Sequence, residues 1–338
     1  MSLRLAIVGL QHGHIFDLYR RALATPQVEV VAVCEEDPRA AARAHSTAGV
    51  EVSHTDTQRL LAEVDCDAVA VGDVYGCRGE RLIAALERGL HVISDKPICT
   101  RLSELAEIER LAAERSLRVG CMLDMRDSPQ FIGARDLVQA GRIGEVLAVS
   151  FGGQHPLMLG QRADWYFEPG QHGGTINDIG VHAFDAIPWI TGSPIAEIVA
   201  ARSWNVLAAA FPHFHDAGQV MLVLANGAGV LGDVSYFAPN SQGYTSPFYW
   251  RTTLWGREGV LETAFTAQAI TLVCNEAQQP VQLPLPAGDP GGYLRAFLHD
   301  VEGVSGGAEL TTEQVLRAAR LALTAQWAAD TRAGSLVV

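Results

Sequence analysis

Apolar positions in the first third of the chain come as short unbroken runs, each followed by a longer stretch that can be helical. Leu3 to Gly9 is such a run and predicts a buried strand ending in glycine, while the segment after Gly13 predicts a helix that Thr25-Pro26 stops. Val28 to Cys34 predicts a second strand, and a helix starts at Pro38 behind the acidic Glu35-Glu36-Asp37. Further strands are predicted over Ala68 to Gly72, His91 to Ser94 and Arg118 to Leu123, with helices over Gly79 to Arg88, capped by Gly89, and over about Leu102 to Glu114. This rhythm predicts an α/β domain on a doubly wound parallel sheet of the Rossmann kind.

Beyond Leu123 the pattern changes. Glu145 to Gly152, Ile195 to Asn205, Gly218 to Leu224, Gly229 to Phe237 and Trp250 to Trp255 are the clearer strands, with Pro280 to Pro290 a proline-rich loop and a final helix over about Glu313 to Thr331. The expected architecture is an α+β domain on an open, mainly antiparallel sheet. Among its strands lies one helical stretch, Ile176 to Ile190. On its wheel Asp178, His182 and Asp185 share one side, and Ile176, Ile179, Ala183, Ile187 and Ile190 the other. The apolar stripe can dock on a core, so the polar stripe is expected to face outward or into a cleft, as a solvated acidic face or as part of a site. Pro188 is expected to kink or end this helix near Ile187.

At 338 residues the chain exceeds the size at which single cores stop growing, about 250 to 300 residues, so two domains are expected, 1–123 and 124–338. No run of about 18 apolar residues occurs, and Met1 to Leu10 is too short for a signal-peptide core; the expectation is a soluble, cytoplasmic protein. A formal charge of −13 with no basic patch argues against nucleic acid and anionic membrane as partners. Cys34, Cys66, Cys77, Cys99, Cys121 and Cys274 form no C-x-x-C pair, and most lie in apolar surroundings, so they are expected to be reduced and structural.

Ligands of such parallel sheets sit beyond the carboxyl ends of the strands. Here that means the turn Gly9, Gln11, His12, Gly13 and His14, then Glu35, then Gly72, Asp73 and Tyr75, and lastly Asp95-Lys96-Pro97. Gly9 holds the first place of a G-x-G-x-x-G turn, but Gln11 and His14 occupy the second and third. Glu35, about 26 residues beyond Gly9, can accept the ribose hydroxyls of an adenosine and would repel a 2'-phosphate, which favours NAD over NADP. It can also serve as an acidic residue ahead of the helix at Pro38.

Gly9 to His14, Glu35, Asp95-Lys96-Pro97 and Gly173-Gly174 followed by Asp178, His182 and Asp185 together resemble the Gfo/Idh/MocA family of oxidoreductases. That family carries an E/D-K-P tripeptide and a G-G-x-x-x-D-x-G-x-H-x-x-D segment, and both occur here in order. The likeness extends to Gly141 to Val146, Asp164-Trp165-Tyr166 and Tyr293 to Val301. The departures are the reduced glycine turn, Asp95 in place of Glu, and Pro188.

The resemblance implies an NAD-dependent dehydrogenase acting on a sugar, inositol or related polyol. Oxidising an alcohol requires a base at the hydroxyl, and His182, with an ordinary pKa near ~6.5, suits that task. Lys96 is the candidate cation for the developing alkoxide, and Asp178 for holding a substrate hydroxyl or tuning the imidazole. His155, Arg162, Trp165 and Tyr166 are candidate substrate contacts, with core or surface roles open to each. Family members commonly pair their sheets between subunits, so a homodimer or homotetramer through the second domain is expected. Two other readings stay open: an enzyme that retains NAD and uses transient oxidation to cleave a glycosidic bond or epimerise a sugar, and an inactive dinucleotide-binding sensor. No metal is expected; His213 and His215 could clamp an ion only if their segment were extended.

Overall fold

The computed structural model describes residues 2–304, 306 and 309–338. The chain forms two compact units, Met1–Leu123 with Gly291–Ala319, and Asp124–Pro290 with Arg320–Val338. This departs from the expected contiguous second domain, 124–338. After the sheet of the second unit the chain returns to the first, where Tyr293, Leu294, Phe297 and Leu298 join the core made by Leu5, Ile7, Ile15 and Leu18.

The first unit holds β1 (Leu3–Leu10), α1 (Ile15–Ala24), β2 (Val28–Cys34), α2 (Pro38–Ala48), α3 (Thr57–Glu63), β3 (Ala68–Gly72), α4 (Tyr75–Glu87), β4 (His91–Ser94), α5 (Leu102–Arg115) and β5 (Val119–Cys121). Its strands are all parallel, in the order β2-β1-β3-β4-β5. The strand order reverses between β1 and β3, so the ends of those two strands mark the switch point at which such sheets take ligands. Helix α4 starts at Tyr75, four residues ahead of the expected Gly79. Gly79 lies inside the helix because a Cβ there would come within 2.3 Å of the Glu104 carboxyl on α5. That glycine is a site of close helix packing, and its resemblance to a helix boundary is coincidental. Cys34, Cys66, Cys99 and Cys121 are buried as small core residues.

The second unit begins with a 3₁₀ turn, Asp124–Asp127, followed by α6 (Pro129–Gln139), β6 (Val146–Pro156), α7 (Val181–Thr191), β7 (Ile195–Trp204), β8 (Ala217–Leu224), β9 (Gly229–Ala238), β10 (Arg251–Gly256), β11 (Gly259–Thr263), β12 (Ala269–Cys274) and β13 (Val281–Pro284). Helix α8 (Gly292–Glu302) belongs to the first unit, and the unit boundary divides α9 (Thr312–Thr331) before β14 (Leu336–Val337). Among the described residues the sheet has nine strands, ordered β13-β12-β11-β10-β6-β9-β8-β7-β14, antiparallel except where β6 and β9 run together. Part of the proline-rich segment pairs as the edge strand β13, where proline is tolerated because an edge strand need not donate on both sides. No helix among the described residues is long and apolar enough to cross a membrane.

Helix α7 differs from the expectation at both ends. Ile176–Gly180 forms a π-helical turn that feeds into it, so the ordinary helical wheel does not apply across the junction. Pro188 does not end it: the helix runs on to Thr191 and stops at Gly192, whose φ of 70° suits the left-handed cap.

Candidate active site residues

In the first unit the strand ends form a hydrogen-bonded frame. Gly9 has φ of 78°, and a Cβ there would lie 2.6 Å from the Asp73 backbone, so β1 can approach the end of β3 only with glycine in this place. Gly72 O accepts from Gln11 N (3.1 Å) and His12 N (3.2 Å). Asp73 caps the next turn through Val74 N and accepts Arg81 Nε at 3.0 Å.

Arg78, fully buried on α4, holds the Asp95-Lys96-Pro97 turn. It donates to Lys96 O (2.6 Å), Pro97 O (3.1 Å) and Asp95 Oδ2 (3.0 Å). His12 Nδ1 meets the same carboxylate at 2.5 Å, and His12 Nε2 meets Tyr75 OH at 3.1 Å. His14 Nδ1 lies 3.3 Å from the other Asp95 oxygen. Burial pushes His12 down to about 4 against the pull of Asp95, and Asp95 is held well below the ordinary carboxylate range, burial being outweighed by His12, Arg78 and His14. With Arg78 already balancing Asp95, neutral His12 donates its Nδ1–H to that carboxylate. His12, His14 and Asp95 also place their ligand atoms within 4.8 Å of one another. Lys96 is buried, with Nζ 5.9 Å from the centre of the Tyr75 ring.

Glu35 serves the turn first. Its carboxylate accepts Leu10 N (2.5 Å), Asp37 N (2.8 Å) and Gln11 Nε2 (3.2 Å), and burial raises its pKa against those bonds. It still lines a cavity of about 340 Å³ with Gly9, Gln11, Glu36, Asp37, Asp73 and Arg81. Four carboxylates face one guanidinium there, and Arg81 is already paired with Glu36 and Asp73. Such a rim favours ribose hydroxyls over a 2'-phosphate. Beyond the turn, nothing lies within 4 Å of a Cβ built on Gly13, and the first N–H groups of α1 turn back on the preceding backbone, Ile15 N on His12 O (3.3 Å), Phe16 N on Gly13 O (3.2 Å) and Asp17 N on His14 O (2.9 Å).

In the second unit the polar face of the helix does not meet solvent. Asp178, His182 and Asp185 are 2, 5 and 3 % exposed. Each has partners that make burial tolerable. Tyr236 OH, on β9, donates to Asp178 Oδ2, and His172 Nε2 lies 2.9 Å from that hydroxyl and 3.3 Å from the carboxylate. Asp185 takes Arg126. His182 Nδ1 is 3.7 Å from Asp124 Oδ1, and its ring meets Trp250 edge-on with centres 5.6 Å apart.

The remaining predicted contacts fall into two groups. His155 packs edge-on against Tyr236, Tyr244, Tyr249 and Trp250. Trp165 and Tyr166 stack at 4.1 Å, and Arg162 lies against Tyr166 and Tyr236. His213 and His215 occupy a turn and loop on either side of buried Phe214, and His215 Nδ1 bonds Ser203 Oγ at 2.8 Å; the extended clamp they would need is not formed. Sequence reasoning missed Arg78, Arg126, Asp124, Tyr236 and Trp250. Nothing local separates Arg78 from Arg81 and Arg88 farther along the same stretch.

An α/β nucleotide domain with these strand ends, in a chain whose second unit buries an aspartate and a histidine, defines an NAD-dependent oxidoreductase. Residues 3–122 match the oxidoreductase family with an NAD-binding Rossmann fold, and residues 131–262 match the GFO/IDH/MocA C-terminal domain. The chain belongs to the Gfo/Idh/MocA family. It is 28% identical over 286 residues to a 1,5-anhydro-D-fructose reductase of Ensifer adhaerens, covering 81% of each chain. It is 24% identical to an inositol 2-dehydrogenase of Rhizobium meliloti, over 89% of this chain and 83% of that one. An oxidoreductase structure from Erwinia carotovora superposes with a TM-score of 0.86 at 26% identity, covering 97% and 99% of the two chains.

Proposed function

We propose that the chain transfers a hydride between the carbinol or carbonyl carbon of a sugar, inositol or related polyol and NAD. The observation that carries this reading is the burial of Asp178 and His182 four residues apart, in a polar cluster that also holds His172, Tyr236, Arg126 and Asp185. Clusters of buried ionisable groups gather at functional sites. The sugar and inositol relatives support the substrate class.

In this reading His182 takes the hydroxyl proton during oxidation and returns it during reduction. Lys96 is the cation assigned to the negative charge that develops during the reaction. Asp178, fixed by Tyr236 and His172, orients a neighbouring hydroxyl. Gly9, Gln11, His12, Gly13, His14, Glu35, Gly72, Asp73, Tyr75 and Asp95 hold the cofactor, whose nicotinamide supplies the hydride acceptor or donor when bound. His155, Arg162, Trp165 and Tyr166 contact the substrate. The working form is a cytoplasmic homodimer or homotetramer paired through the outer face of the nine-stranded sheet. On that face Met221 and Leu231 lie cross-strand from one another, with Trp255 also exposed.

The test is absorbance at the NADH band on incubation with NAD and a panel of sugars and cyclitols, and with NADH and the matching ketones. Net oxidation or reduction supports the reading; product without net change in NADH assigns the chain to the enzymes that retain their cofactor.

A further inference from the structure

Arg162 is a half-buried guanidinium that forms no ion pair among the described residues. It follows the end of β6 and folds back on its own chain, where Nε donates to Leu157 O at 3.0 Å and Nη2 to Pro156 O at 2.7 Å. Its Cζ lies 4.6 Å from the ring centre of Tyr166 and 4.9 Å from that of Tyr236. Two carbonyls and two rings fix the plane of the group, and the remaining N–H groups are left to donate. Withdrawing a cation from water is unfavourable unless an opposite charge meets it. The other buried arginines of the fold obey this rule, with Arg78 on Asp95 and Arg126 on Asp185.

Tyr236 links this cation to the proposed chemistry. The ring that faces Arg162 carries the hydroxyl that donates to Asp178, four residues before His182. Tyr236 thus touches Arg162 with its ring and Asp178 with its hydroxyl.

We propose that the substrate is an anionic polyol, and that Arg162 binds its carboxylate or phosphate in a fixed fork while Asp178 and His182 act on a hydroxyl elsewhere on the same molecule. A planar guanidinium pinned by backbone carbonyls is suited to bidentate oxyanion recognition. Tyr166 and Tyr236 exclude water from the pair and strengthen it. This assignment rests on the hydride-transfer reading and adds to it the charge of the substrate.

The experiment compares neutral sugars and cyclitols with sugar acids and with sugar phosphates of matching stereochemistry, measuring kcat/KM with NAD and the shift in Tm in the presence of NAD. The expected result is a preference of at least about 100-fold for one of the anionic sets, which also tells a carboxylate from a phosphate. Arg162→Gln should shrink that ratio toward unity, and Arg162→Lys should restore part of it. Equal kcat/KM for neutral and anionic members overturns the proposal, as does an Arg162→Gln variant that slows both alike and keeps the ratio, the signature of a purely structural arginine. If no member is turned over, the hydride-transfer reading fails by itself. The anion site then stands if sugar acids or phosphates raise the Tm of the wild type and not of Arg162→Gln, and falls if they raise neither or both.

Discussion

Arg126 and Asp185 meet as a bidentate ion pair inside the second unit. Nε donates to Oδ2 at 2.8 Å and Nη2 to Oδ1 at 2.5 Å, with 7 and 1 % of the two side chains exposed. Asp185 is the last acidic residue of the segment that runs from Gly173 through Asp178 and His182, and its carboxylate is committed to Arg126. Either Asp185→Ala or Arg126→Ala should therefore destabilise the fold by about 3–5 kcal/mol, because each strands a buried charge. The double variant Arg126→Met with Asp185→Leu should lose much less than the sum. Urea unfolding of the four proteins measures the difference, and strictly additive losses would show that the pair is not coupled.

His182→Ala is expected to lower kcat by about 10²- to 10⁴-fold, the usual worth of a positioned acid or base. The rise in Tm on adding NAD should persist, since the proposed nucleotide contacts lie on other residues. Lys96→Ala should lower kcat likewise. A His182→Ala enzyme with wild-type turnover would remove the imidazole from the mechanism.

Gly9→Ala tests the cofactor turn. The new Cβ would meet the Asp73 backbone at 2.6 Å with φ at 78°, so either the turn opens or the strand ends separate. A loss of about 1–3 kcal/mol in stability is expected, with weaker NAD binding. Calorimetry with and without NAD reads both effects, and unchanged values for each would contradict the close approach of β1 and β3.

The pH dependence follows from His12. Its folded pKa of about 4 lies below its ordinary 6.5, so between these values the unfolded chain takes up a proton that the folded chain refuses. Stability should fall as pH drops through that window, by up to about 3 kcal/mol from this group. Asp95 acts elsewhere: its depressed pKa contributes stability above the ordinary value of 3.8 and withdraws it only at lower pH. Urea midpoints from pH 7 to 4.5 should decline, and His12→Gln should flatten the decline. The same slope in the variant would mean that His12 is not the group responsible.

Leu231 is 59 % exposed beside Met221 on the outer sheet face. Leu231→Glu should convert the proposed oligomer to monomers in light scattering with little change in the Tm of the folded subunit. A monomeric wild type would dispose of the interface.

Much of this protein is local in origin. The apolar runs of β1 to β4 lie within two residues of their observed strands because a buried strand needs a continuous apolar segment, which is visible without its neighbours. The strand-end residues were also legible: Gly9 closes such a run, and Glu35 and Lys96 each follow one. Errors arose where one element answers to another. Gly79 resembled a helix boundary and proved to be the place where Glu104 packs against α4. The edge strand β13 hid within its prolines, since pairing with β12 is what makes it a strand.

The sequence by itself determined the alternating α/β half, the antiparallel half, and the identity of the groups that can carry charge or move a proton. Only the tertiary structure decided their surroundings. An amphipathic wheel cannot distinguish an acidic face in water from one buried on partners, because those partners are far away in the chain: Tyr236 lies 58 residues from Asp178, and Arg126 lies 59 from Asp185. Burial of a charge depends on its counter-charge and hydrogen bonds, and these are supplied by the fold.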